Sequence, residues 1–98
     1  MSTSDKFILI DIFERDISMP MIFDTVEEAR AQMKRSLIVD GMGGEDDSIF
    51  DEFKKEEDYD WEPDGDSAWF NSRHGNSEWR IVSLAAMEKH TAETLEAQ

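Results

Sequence analysis

Asp60, Glu62, Asp64 and Asp66, spaced two apart around Gly65, set oxygen donors in a pattern that could wrap a hard cation. A calcium loop takes ligands at its first, third, fifth and twelfth positions and a glycine at its sixth. Counted from Asp60, the match is partial. Glu62 stands where Asp or Asn is usual, Pro63 occupies the fourth position, and Asn71 stands at the twelfth, where a bidentate glutamate closes the shell. Asp60, Glu62, Asp64 and Asp66 therefore make a divalent-cation module the third-ranked reading, below two that need no metal.

Other chemistry is thinner. His74 lies in a turn and His90 near the C-terminus, so a shared proton relay needs the tail to fold back; His74 reads as a turn residue bonding its own loop. No serine sits in a nucleophile elbow, and the chain has no cysteine, which removes thiolate nucleophiles, thiolate metal sites and disulfides. Paired carboxylates are in such excess that no one pair marks an acid and base. The expectation is a non-enzymatic protein with no cofactor.

The acid itself is the strongest feature. Glu45 to Asp66 carries twelve carboxylates against two lysines, a local charge of −10 out of −14 for all 98 residues. Such crowding costs folding free energy through self-repulsion, so it lies on a solvated face or serves a purpose. With a pI near 4.3, direct nucleic-acid binding, which runs on Lys and Arg displacing counterions, is not expected. The leading reading is a basic protein surface as partner, contacted by Asp51, Glu52, Glu56, Glu57, Asp58 and Asp60. Carboxylates one helical turn apart can imitate a row of phosphates, so the sharpest form of this reading is a nucleic-acid mimic or inhibitor occupying a nucleic-acid-binding protein. The alternative is a structural or assembly protein that works through its aromatic surface or tail, with the acid serving only solubility. No secretory signal or membrane-spanning run is visible, so a cytoplasmic protein without a membrane partner is expected; oligomeric state is left open.

These residues need elements to hold them. Phe7 to Phe13 is apolar at every position but Asp11, which suits a central strand covered on both faces. Arg15 to Pro20 reads as a connection and Met21 to Phe23 as a second strand. Thr25 and Glu28 form a capping box that starts a helix at Val26; Ala29, Met33 and Leu37 follow on its inward face, and Gly41 can close it. Within the acidic run, Asp47 or Ser48 can cap a short helix that docks through Ile49, Phe50 and Phe53. Pro63, Asp64 and Gly65 signal a turn. Ser67 to Asn71 and Glu78 to Leu84 then read as a hairpin with a loop longer than two residues, bringing Trp69 and Trp79 together as cross-strand neighbours. Core and sheet packing is the expected role of Trp61, Trp69 and Trp79.

The fold class expected is α+β: an antiparallel sheet of about four strands in the order β-β-α-α-β-β, packed on one main helix. Residues 1–84 form the domain, and 85–98 form a C-terminal helix or flexible tail with a weak apolar face and no firm cap.

The hairpin also carries a resemblance. Ser67-Ala68-Trp69, Asn71, His74-Gly75-Asn76 and Glu78-Trp79-Arg80-Ile81-Val82 resemble the C-terminal Ser-Ala-Trp, His-x-Asn and Trp-x-Ile pattern of a family of small acidic proteins from bacterial and phage-like genomes. The resemblance implies an intact domain of that family and an origin on mobile elements. It carries no activity and no catalytic residues.

Overall fold

The apolar run Phe7–Phe13 is a strand, β1, and it is central to an antiparallel sheet. The computed structural model describes residues 5–97; residues 1–4 and 98, the ends of the expected domain and tail, lie outside the described residues. Along one edge β1 pairs with β6 (Gly75–Ser83), which pairs with β5 (Ser67–Ser72), which pairs with the short β4 (Tyr59–Asp60). Its other edge is shared by β2 (Asp16–Ile17) and β3 (Met21–Phe23). The α+β class stands, with six strands where about four were expected.

The extra strands arise from turns without strong signals. Glu14 takes a left-handed conformation (φ 56°), so the chain reverses at once and pairs Ile12 with Ile17 inside the expected connection. At the β5–β6 hairpin the loop closes over Arg73 and His74 alone, tighter than expected, because the Ser72 hydroxyl donates to the Gly75 carbonyl (2.9 Å) and accepts from the His74 N–H (3.1 Å). Gly75 supplies the required φ of 146°.

Helix α1 (Val26–Ser36) starts on the capping box: the Glu28 N–H donates to the Thr25 hydroxyl at 3.1 Å, and the Thr25 N–H to the Glu28 carboxylate at 3.2 Å. Its last turn widens into a π-type turn, Leu37–Gly41. The absence of a side chain at Gly41 admits the Trp79 ring, which a Cβ there would meet at 3.1 Å. Ala29, Met33 and Leu37 pack on Leu9, Ala68, Phe70, Trp79 and Ile81.

Among the described residues, only one face of the sheet is covered. Leu9, Asp11, Trp79, Ile81, Ala68 and Phe70 share the face under α1; Ile8, Ile10, Ile12, Val82 and Trp69 share the other, with Ile17 and Ile22 beside them, 67% and 60% exposed. The expectation that both faces of β1 are covered is corrected here, because every helical segment that follows β1 and packs on the sheet falls on one side. The register also separates two tryptophans: Trp79 pairs with Ala68 and Trp69 with Glu78, so the indoles point to opposite faces.

The C-terminal segment is helical. α2 (Leu84–Glu96) follows β6 with no intervening residue and does have a cap, the Ser83 hydroxyl accepting from the Ala86 N–H at 3.0 Å. Its first turn is fastened to the start of β1: the Leu84 N–H donates to the Lys6 carbonyl (2.7 Å) and the Ala85 N–H to the Asp5 carboxylate (3.0 Å). No side chain of α2 is buried. Among the described residues, no helix is long and apolar enough to cross a membrane.

Candidate functional site

The acidic run is anchored by its aromatic residues. Asp46, one residue before the expected caps, accepts from the Ser48 N–H at 3.0 Å and starts a 3-10 helix, Asp47–Glu52; both Ser48 donors lower the Asp46 pKa. From it Phe50 stacks between Tyr59 (ring centroids 5.3 Å apart) and Trp61 (5.4 Å, planes 9° apart), while Phe53 meets Phe70 edge-on at 5.0 Å. The Lys34 ammonium from α1 lies 5.2 Å from the Trp61 ring centre and ends the row. Ile49 closes the other side against Gly44, where a Cβ would stand 2.6 Å from the Ile49 Cβ.

The sequence reading expected the docking of Ile49, Phe50 and Phe53 but missed the row Lys34–Trp61–Phe50–Tyr59. Its signal was present in the aromatics interleaved with the carboxylates; the contribution of α1 was not.

Four of the twelve carboxylates are tied to cations: Asp47 to Lys34 (2.8 Å), Asp66 to Arg30 (2.9 Å), Glu57 to Lys54 (3.8 Å), and Glu62 to Lys55. Asp46 and Asp58 act on backbone instead, Asp58 accepting from the Lys54 N–H at 2.9 Å. Of the six residues expected to meet a partner, Asp51, Glu52, Glu56 and Asp60 make no ion pair among the described residues; Glu57 and Asp58 have the local roles just given. Asp51, Glu52, Glu56 and Glu57 are exposed, and Asp58 and Asp60 are half-buried.

The potential of this group is felt by its neighbour. The phenol of Tyr59 is pushed above its usual pKa by burial first, then by the charges of Asp51 and Asp60. Beside them, Glu52, Asp58, Asn71, Arg73 and His74 line a shallow depression of about 480 Å³. Glu56 holds a left-handed backbone (φ 71°) that glycine would adopt more readily, with its N–H donating to the Tyr59 carbonyl at 2.6 Å.

The four carboxylates of the partial calcium pattern are not gathered. Glu62 and Asp66 face Lys55 and Arg30, Asp60 is in β4 opposite Trp69, and among the described residues no three acidic or histidine side chains converge as a cation would require. His74 is exposed at the hairpin tip and His90 on α2.

One half-buried charge lies elsewhere. Asp11 is the one carboxylate of β1 and sits on the covered face opposite Trp79. Loss of water raises its pKa most, the nearby Trp79 indole lowers it by less, and the charge of Asp40 adds a smaller rise. Among the described residues, the Trp79 indole N–H is buried without a partner at hydrogen-bonding distance.

A scan of the chain against protein-family models finds no match, and neither does a search of curated proteins or of solved structures.

Proposed function

We propose that this chain is a non-enzymatic interaction protein that offers an acidic surface to a basic partner surface, with imitation of a nucleic acid as its most specific form. Asp51, Glu52, Glu56 and Asp60 carry the contact, and Glu57 and Asp58 border it. One observation supports this above the others: these four carboxylates stay without internal cations among the described residues, while most of the acidic run around them is paired or spent on backbone. The aromatic row fixes the segment that bears them, which lowers the entropy lost on binding.

Affinity purification from the source organism at low salt is the test. A basic protein is expected to co-elute, to be released as ionic strength rises, and to be lost with Glu52→Lys and Glu56→Lys. Retention unchanged from low to high salt overturns the reading. Glu56→Gly separates binding from folding: it relieves the left-handed strain and should raise stability by about 0.5–1 kcal/mol while weakening capture.

A second reading, an assembly protein with the acid serving only solubility, has its own observation: Trp69 lies on the open sheet face and α2 projects with Met87 and Leu95 exposed. Under it, neutralising the four carboxylates leaves partner binding intact.

A further inference from the structure

Among the described residues, the open face of the sheet and helix α2 are each left without an apolar partner, and the chain cannot join them to one another. The open face has a groove of about 300 Å³ bordered by Ile10, Ile12, Trp69, Glu78 and Arg80. At helical spacing, α2 places Leu84, Met87 and Leu95 in one stripe that Thr91 completes, with Met87 41% and Leu95 65% exposed. For α2 to lie over its own sheet the chain would have to reverse after β6. Ser83 ends the strand and Leu84 begins the helix, so no residues remain for a turn, and the bonds to Asp5 and Lys6 hold the first helical turn in place. The radius of gyration reflects the projection, at 15.1 Å against about 13 Å for a compact chain of this length.

We propose that a second copy of this chain covers the open face, each α2 laying its stripe over the partner's sheet in a two-fold exchange. Dimensions agree. Five strands across at ~4.8 Å spacing make the sheet about 19 Å wide, and thirteen helical residues at ~1.5 Å reach about 20 Å. A helix about 10 Å across and about 20 Å long covers about 200 Å² of sheet, so covered sheet and stripe together give each copy roughly 400 Å² of projected area, before side-chain relief is counted, toward the ~800 Å² per partner of a stable interface.

A local charge pair fits the same occupant, against the net repulsion of two acidic chains. The groove is rimmed by one acid, Glu78, and one base, Arg80, and Arg80 has no ion pair among the described residues. Glu88 flanks the stripe on α2 and is the natural counterpart for Arg80. The 3-10 helix, whose Ile49, Phe50 and Phe53 pack into the core on the covered side, keeps most of the acidic run away from this junction. The inference refines the assembly reading; Asp60, paired with Trp69 on the open face, is the contact carboxylate that the two surfaces share.

Sedimentation equilibrium of the full chain over a concentration series, at low and raised salt, tests it. A mass of twice 11.3 kDa is expected, and the association should strengthen with salt, because screening relieves repulsion between two bodies of −14 each. Leu95→Asp and Ile22→Lys alter exposed side chains that the fold does not need, and each should weaken the dimer at least tenfold. A chain that stays monomeric, or a dimer indifferent to Leu95→Asp, overturns the proposal. A monomer that still captures another protein through Trp69 and α2 overturns self-association and leaves the assembly reading standing.

Discussion

The two faces of the sheet draw on similar residues and meet different surroundings. On β1, Phe7, Leu9 and Phe13 alternate with Ile8, Ile10 and Ile12, and the one charge, Asp11, falls on the covered side. Apolar content would assign the isoleucine face to the interior. What decides is where the helices go: α1 and its π-type extension close over Leu9 and Trp79, whereas α2 leaves directly from the end of β6 and covers neither face. Hydrophobicity sets how much is gained by burial, and connection length sets which face obtains it.

Substitutions on neighbouring residues of β1 test this contrast most strongly. Leu9 is 1% exposed, and Leu9→Ala should cost about 2–5 kcal/mol in urea unfolding. Ile10→Ala, next along the strand, should cost less, about 1–2 kcal/mol in dilute solution, since its side chain is only partly buried. Equal losses would erase the distinction between the faces. If a second copy covers Ile10, its penalty should grow with protein concentration.

A smaller effect probes how the acidic segment is held on the covered side. Gly44→Ala drives a methyl into Ile49 and should cost about 1–3 kcal/mol by displacing the 3-10 helix, with reduced near-ultraviolet dichroism from the Phe50–Trp61 stack. An unchanged spectrum would mean that the close approach does not fix the stack.

Asp11→Asn should give the smallest change, and in the opposite direction. A carboxyl whose folded pKa is raised favours folding in its protonated form: that contribution is full below the unfolded value of 3.8 and is lost as pH rises through the folded value. The amide should therefore be the more stable form at neutral pH, and the two unfolding curves should merge on acidification. A gain that persists below pH 3.8 would assign the effect to packing.

Local chemistry made much of this fold legible. Thr25 and Glu28 announce α1 because both halves of a capping box are within one turn of each other, and Phe7 to Phe13 announce a central strand by their continuity. Turns without Gly or Asn leave little mark in a sequence: Glu14 and Arg15 carry no reversal signal, so β2 is hidden inside a connection. Ser83 falls inside the strand that the alternation suggests, which conceals the α2 cap. The acidic site was legible as charge and not as arrangement. Which carboxylates are left free depends on Arg30 and Lys34 arriving from α1, a tertiary event that no spacing within the acidic run records.

The absence of a loop between β6 and α2 has a mechanical consequence. A helix that continues from a central strand behaves as a lever arm, its swing set by the sheet's twist and its base clamped by Asp5 and Lys6. Torque applied near Glu96 is delivered to β6 itself, and a fluorophore fixed there would tumble with the whole body.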